Sequence, residues 1–170
     1  GVRVGRHPAV ECNRARQGIL LRDDRAQAKL ALRRLGKEWF PFNVPADRGT
    51  WTFSGRVGLH HGLPALNLPP GSTILVPAYH QGVEIETLLV SGYRLRYYRL
   101  DERLGIDFAH LERQLDESVS ALHVIHYFGF AHPLAPILQF CEAHGLKLIE
   151  DCALSLFTRD RDTWVGSTGD

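Results

Sequence analysis

Two adjacent acidic residues, Glu150 and Asp151, follow a short apolar run that contains Leu146, Leu148 and Ile149. Such a run is typical of a strand buried in a parallel sheet, and open α/β sheets bind their ligands at the carboxyl ends of the strands. A carboxylate at that edge is suited to a ligand that carries positive charge. The stretch alone leaves a second role open, in which Asp151 caps the next turn or pairs with a nearby arginine.

A second group suited to ligand binding opens a predicted helix and consists of Ser54, Gly55, Arg56 and Val57. Ser54 is a suitable N-cap, and a glycine lets the backbone come close to a ligand. Free N–H groups and the helix dipole meet at a helix start and favour a phosphate. Arg56 would add a cation, although a surface position for its side chain is equally open.

A phosphate site and a distant acid together suit one ligand. Pyridoxal phosphate (PLP) has a phosphate at one end and a pyridine nitrogen at the other. An aspartate beside that nitrogen keeps it protonated, which lets the ring act as an electron sink. The sequence therefore predicts PLP as the cofactor, with Asp151 at the ring nitrogen and the segment 55–57 at the phosphate.

The elements that must position these residues alternate along the chain. Hydrophobic periodicity and turn residues predict strands at 73–76, 93–100, 121–125 and 146–151, helices at 57–66, 82–90, 108–115 and 134–144, and a hairpin at 157–165. Regular alternation of strands and helices indicates βαβ units. We therefore predict an α/β fold with three layers, α/β/α, around a mostly parallel sheet.

Residues 1–50 lack this regular pattern and carry an excess of basic residues. We predict an irregular, partly helical lead-in, with a helix at 25–35 and an aromatic, proline-containing segment at 39–49 that crosses a surface or contacts a partner subunit. A solvated segment explains the basic excess better than a nucleic-acid-binding arm does. The patterned domain is predicted to begin at residue 51.

The composition is that of an ordinary globular protein with one core: the 170 residues are 44% hydrophobic and 23% charged, with a net charge of +1. This balance gives no reason to expect nucleic acid or a membrane as a partner, and no apolar run approaches the ~20 residues of a membrane span. Three widely spaced cysteines, Cys12, Cys141 and Cys152, favour a reducing compartment over a disulfide scaffold. We expect a cytoplasmic protein.

Three other kinds of site find little support in the sequence. No histidine or cysteine pair has the spacing of a metal site, and we predict no metal. No serine or cysteine lies in a GxSxG-type turn. The nearest approach to a dinucleotide-binding glycine motif, from Gly55 to Gly58, has the wrong spacing.

Six short motifs occur in a fixed order along the patterned domain: LVPAY at 75–79, SGY at 91–93, YRLDERLGID at 98–107, VIHYFGF at 124–130, HGLKLIEDCA at 144–153 and VGSTGD at 165–170. Through them, residues 54–170 resemble the amino-terminal half of the large domain of the DegT/DnrJ/EryC1/StrS family. These are fold-type-I, PLP-dependent aminotransferases, best known for acting on keto-sugar nucleotides. The resemblance implies that residues 51–170 are an incomplete large domain.

The resemblance also implies roles for individual residues. Asp151 matches the family's acid at the pyridine nitrogen, and Gly55 and Arg56 match positions that hold the phosphate. Gln81 falls where the family usually has an aromatic residue that stacks on the cofactor ring. His126 matches a histidine in a strand-end motif near the site.

Four positions differ from the residues that are common in the family: Arg56 in place of Thr, Val57 in place of Ser, Gln81 in place of the stacking aromatic, and Leu154 in place of Gln. Tyr79 or His80 could supply the missing aromatic plane. We expect the cofactor class to be retained and the substrate to be a keto-sugar nucleotide or a similar ketone.

The family's Schiff-base lysine comes soon after the GSxGD turn, which here is at 166–170. Lys29, Lys37 and Lys147 are the only lysines, and none is at the matching position. We therefore expect an amino-terminal fragment that carries half of a site and is inactive alone.

Three functions follow as expectations. The first is an aminotransferase, dimeric in its complete form, that moves nitrogen from an amino donor onto a ketone. The second is a PLP-dependent sugar dehydratase, in which a histidine replaces the lysine. The third is a non-catalytic regulatory or interaction protein that keeps the fold.

Overall fold

The computed structural model describes residues 49–170. The helix predicted at 25–35 and nearly all of the segment predicted at 39–49 lie outside the described residues. No helix in the described part of the chain is both long enough and apolar enough to cross a membrane.

The described residues form four strands of one sheet, four α-helices and a small hairpin. The helices are α1 (Gly55–Gly62), α2 (Val83–Val90), α3 (Phe108–Glu112) and α4 (Leu134–His144). The sheet strands are β1 (Thr73–Pro77), β2 (Arg94–Tyr98), β3 (Val119–Ile125) and β4 (Lys147–Asp151). The hairpin strands are β5 (Arg159–Asp160) and β6 (Thr163–Trp164).

The sheet has the order β2-β1-β3-β4, and every neighbouring pair is parallel. Parallel neighbours need crossover connections, and helices α2, α3 and α4 lie in these connections. The carboxyl ends of β3 and β4 are aligned, because Ile125 pairs with Asp151. The predicted parallel α/β sheet is confirmed.

Helices cover both faces of the sheet, as the predicted three layers require. On one face, Leu122 of β3 packs in a cluster with Leu111 of α3 and Ile137 of α4. On the other face, Ala121 of β3 packs in a cluster with Ile85 of α2. Alternate residues of β3 thus point to opposite layers, and the whole strand is buried or nearly so.

Two predicted helices differ from the observed ones at their ends. The helix predicted at 57–66 begins at Gly55 and changes at Leu63 into a 3₁₀ turn, Leu63–Leu66, that contains Pro64. Proline has no N–H for an α-helical hydrogen bond and its ring clashes with the preceding turn, which explains the change. The helix predicted at 108–115 ends at Glu112 and continues as tight turns.

The predicted hairpin at 157–165 is present. Strands β5 and β6 are antiparallel, with Arg159 paired to Trp164. The Arg159 guanidinium lies 3.8 Å from the centre of the Trp164 ring. A cation over an aromatic face stabilises this short ribbon, which has only two residues in each strand.

Replacing Leu122 with Ala should lower the free energy of unfolding by about 3 kcal/mol, because it leaves a cavity in the core. Leu122 is 0% exposed, whereas Leu89 on α2 is 53% exposed and serves as the matched control. Urea unfolding followed by circular dichroism measures both variants. Equal losses for L122A and L89A would contradict the assignment of the core.

Candidate cofactor site

A cavity of about 910 Å³ opens beside α1 and the carboxyl end of β4. Four of the predicted site residues line it: Gly55, Arg56, Gln81 and Asp151. They come from the start of α1, the loop after β1 and the last residue of β4. The fold thus brings together residues that are nearly a hundred positions apart, at the sheet edge where open α/β folds bind ligands.

A second cavity, of about 650 Å³, lies beside the first residues of β1 and β2, at the opposite edge of the sheet. Arg96 and Asp116 line it and already form an ion pair with each other. Because ligands of open α/β sheets bind at the carboxyl ends of the strands, we assign the candidate site to the larger cavity.

Asp151 is half-buried at the end of β4. Its Oδ1 accepts a hydrogen bond from the Ala153 N–H at 2.9 Å. Within the described part of the chain, Oδ2 accepts no hydrogen bond and is available to a ligand in the cavity. Asp151 therefore holds the next turn with one oxygen, and it also lines the cavity, so its role as a ligand-binding acid stays a prediction.

The start of α1 lies at another wall of the cavity. The Ser54 hydroxyl accepts a hydrogen bond from the Val57 N–H at 3.4 Å and caps the helix. The cap occupies the Val57 donor, and the N–H groups of Gly55 and Arg56 are the ones that neither the cap nor the helix uses. A Cβ added at Gly55 would meet nothing within 4 Å, so the space beside this backbone is open to a ligand.

Two residues that were predicted to bind the cofactor do not line the cavity. Val57 does not line the cavity, and neither does His126, which is 0% exposed. The His126 Nδ1 accepts a hydrogen bond from the His132 N–H at 3.1 Å, so its proton is on Nε2. That proton is donated to Glu150 Oε2 at 3.2 Å. Both ring nitrogens of His126 therefore serve contacts inside the protein.

Glu150 is the acid to which the sequence assigned no separate role. Its side chain is only 2% exposed, and Oε1 accepts hydrogen bonds from the N–H and hydroxyl of Thr168 and from the Gly169 N–H, at 2.7 to 2.9 Å. Oε2 accepts the Gly166 N–H at 2.8 Å besides His126. Burial alone would raise the pKa of Glu150, but the donors from His126, Gly166 and Thr168 outweigh burial and hold the pKa at about 2.

Three possible metal ligands, from His126, Glu150 and Cys152, lie within 4.8 Å of one another. The His126 nitrogens and both Glu150 oxygens already take part in the hydrogen bonds described above. Burial also raises the pKa of the Cys152 thiol, to about 12, which disfavours the thiolate that binds metals. His126 and Glu150 therefore belong to a hydrogen-bonded cluster that joins β4 to the turn at 166–169.

Gln81 lines the cavity where the family usually has an aromatic residue that stacks on the cofactor ring. Its N–H donates to Glu84 Oε1 at 3.0 Å, which orders the start of α2 beside the cavity. Neither Tyr79 nor His80 lines the cavity: the Tyr79 ring packs on Tyr127 and the His80 ring stacks on Tyr97. The stacking role that we predicted for one of them finds no support in this arrangement.

His123 is a further lining residue that sequence reasoning missed. It lies inside the apolar strand β3 and is 1% exposed. The signal was a single polar residue in a run that otherwise reads as a buried strand. Its distance from Asp151 along the chain concealed that the two share a cavity, which only the pairing of β3 with β4 reveals.

The fold and the cavity define a class of protein: a parallel α/β domain with a cavity that has a helix start at one wall and an aspartate at another. The model of the DegT/DnrJ/EryC1/StrS aminotransferase family matches residues 45–170. The chain belongs to this family.

Relatives of known function and structure agree with this assignment. The chain is 28% identical over 128 residues to GDP-perosamine synthase of Vibrio cholerae, a match that covers 75% of this chain and 35% of that protein. NtdA of Bacillus subtilis with bound cofactor PMP is 26% identical with a TM-score of 0.59, covering 63% of this chain and 25% of that one. A GDP-4-keto-6-deoxymannose-3-dehydratase structure, at 23% identity and a TM-score of 0.63 over 68% of this chain and 32% of that one, shares the fold.

Replacing Glu150 with Gln should lower the free energy of unfolding by about 3 kcal/mol at neutral pH. The amide NH₂ of glutamine would face N–H donors that now bind a carboxylate oxygen, and the charge-assisted hydrogen bonds would be lost. The folded pKa of about 2 lies below the ordinary value of 4.5. The contribution of the carboxylate is therefore complete above pH 4.5 and disappears as the pH falls through about 2.

Urea unfolding at a series of pH values tests this expectation. The stability difference between wild type and E150Q should shrink as the pH falls from about 5 toward 2. The control is E142Q, an exposed position on α4 that should change stability little at any pH. A difference that stays constant with pH would show that Glu150 does not act through its charge.

Proposed function

We propose that the protein is a PLP-dependent aminotransferase that moves the nitrogen of an amino donor onto a keto-sugar nucleotide or a similar ketone. Membership of the family supports the reaction class, and the Vibrio cholerae relative, a GDP-perosamine synthase, supports the sugar class. The chain spans 35% of that relative. The observation that carries the proposal is that Asp151 and the start of α1 line one cavity.

The residues present fit the cofactor. The start of α1 offers the N–H groups of Gly55 and Arg56, with an open approach beside Gly55, to a phosphate. The exposed Arg56 side chain adds a cation that can bind phosphate oxygens in a bidentate manner. Asp151 offers a free carboxylate oxygen to a pyridine N–H. These three groups would bind the two ends of PLP.

PLP supplies the electron sink when it is bound, and Asp151 sustains it by keeping the ring nitrogen protonated. The free oxygen of the Asp151 carboxylate would accept the hydrogen bond from the protonated ring nitrogen, while the Ala153 N–H fixes the other oxygen. Glu150, immediately before it, holds the strand end in place through the turn at 166–169. Gln81 lies at the cavity wall beside Glu84 and would contact the ligand without stacking on its ring.

Lys147 is not suited to act as the Schiff-base lysine. Its Nζ donates to Asp170 Oδ1 at 2.6 Å, and it does not line the cavity. We propose that these 170 residues bind the cofactor without a covalent bond and do not transaminate by themselves. We also propose that residues 51–170 are the amino-terminal half of the large domain, with 1–50 as a lead-in, in a cytoplasmic homodimer.

The dehydratase alternative has the same cofactor and a related sugar, and a structural neighbour is a GDP-4-keto-6-deoxymannose-3-dehydratase. The two reactions are separated by their products: an aminotransferase leaves an amino group on the sugar, whereas a dehydratase removes a hydroxyl. Mass spectrometry of the product from a keto-sugar nucleotide and an amino donor distinguishes them. The non-catalytic alternative requires that no cofactor binds.

The Asp151→Asn variant should weaken binding of pyridoxamine phosphate (PMP), measured by fluorescence titration, about 10- to 100-fold, because a neutral amide cannot stabilise the protonated ring nitrogen. PMP forms no Schiff base, so the measurement does not depend on a lysine. The matched control is D162N in the exposed turn of the hairpin, which should bind as wild type does. A wild-type protein that does not bind PMP would refute the proposed function.

A further inference from the structure

His123 occupies a position where a polar side chain is unexpected. It is the third residue from the end of β3, flanked by the buried residues Leu122 and Val124. It pairs with Ile149, while Ile125 pairs with Asp151. Because residues two apart on a strand share a face, His123 and Asp151 are diagonal neighbours on the same face of the sheet. Both line the candidate cofactor cavity.

The buried imidazole of His123 lowers the stability of the folded protein. The residue is 1% exposed, and its Nδ1 has no hydrogen-bond partner among residues 49–170. A buried polar atom without a partner costs about 1–3 kcal/mol of stability. The Tyr98 hydroxyl donates a hydrogen bond to the His123 carbonyl at 3.0 Å, which fixes the backbone and does not involve the ring. An apolar side chain would serve the core better at this position.

The charged and titratable groups around His123 come from three elements. They are Asp151 at the end of β4, Glu84 on α2 and His80 in the loop after β1. Burial lowers the pKa of His123 most strongly, Asp151 and Glu84 oppose this effect, and His80 adds to it. With the pKa lowered, the ring is neutral at neutral pH and has one N–H to donate. It can therefore bind a carboxylate without neutralising its charge.

We propose that His123 is a positioning residue for Asp151: when the cofactor is bound, its neutral imidazole donates an N–H to Asp151 Oδ2, the oxygen that Ala153 does not bind and that accepts the pyridine N–H through its other lone pair. This hydrogen bond orients the carboxylate at the floor of the cavity toward the ring nitrogen of the cofactor. A neutral donor keeps the aspartate ionised, whereas a cation would compete with the pyridinium for it. The inference rests on the proposed function, because it assigns the ring nitrogen to Asp151.

The test compares His123→Leu with His123→Asn, using PMP as the probe and fluorescence titration as the readout. Leu removes the donor while filling the space, and Asn places an amide close to the position of Nδ1. H123L should weaken PMP binding about tenfold, and H123N should restore most of the affinity. The apo-protein of H123L should melt at the same or a higher temperature, because the substitution removes an unpaired buried atom.

A double-mutant cycle with Asp151→Asn shows whether the effect passes through Asp151. In the D151N background, H123L should cause no further loss of PMP affinity. H144L is the control for replacing a histidine by leucine, since His144 lies on α4 beside Glu112. It should leave PMP binding unchanged.

Three results would overturn the inference while leaving the proposed function standing, provided that wild type binds PMP and D151N binds it less well. These are unchanged affinity in H123L, no recovery in H123N, or an additional loss in the double variant. A wild-type protein that does not bind PMP would overturn the proposed function and this inference together.

Discussion

The buried carboxylate of Glu150 holds three separate parts of the chain at one point. Glu150 lies in β4 and accepts a hydrogen bond from His126, which comes just after β3. It also accepts hydrogen bonds from N–H groups of the turn at 166–169. A buried charge is stable only when its oxygens are fully hydrogen-bonded, and here five donors meet that requirement. The edge of the sheet that carries the candidate site is therefore held by hydrogen bonds to one side chain.

The candidate site follows from the pleat of β4. Successive side chains of a strand point to opposite faces, so Glu150 and Asp151 point in opposite directions although both residues line the cavity. Glu150 is committed to the turn, and Asp151 is left at the cavity with one oxygen free. Two adjacent acids thus take different roles, one structural and one available to a ligand, without any difference in side-chain chemistry beyond one methylene.

At His123 in β3, unlike at Glu150, a buried polar side chain lowers stability while it lines the cavity. A buried His123 with an unpaired nitrogen weakens the core, yet the residue lines the same cavity as Asp151. Polar groups of this kind persist in folded proteins where they support a function, because stability alone would favour an apolar residue. The hydrogen-bonded cluster around Glu150 and the unpaired Nδ1 of His123 are on neighbouring strands, β4 and β3.

The sequence by itself determined the elements of this protein and pointed to an acid that lines its candidate site. Alternating periodicity predicted the parallel α/β fold, the motifs indicated the family, and an acid at a strand end singled out Asp151; each depends on local pattern, which the chain carries in order. Only the tertiary structure decided that the His126 side chain is buried and hydrogen-bonded to His132. It also decided that the Val57 N–H donates to the helix cap. Finally, it decided that Glu150 binds a turn 16 to 19 residues away along the chain. It also placed His123 beside Asp151. These outcomes depend on which strands pair and in which register, and no local pattern encodes a register.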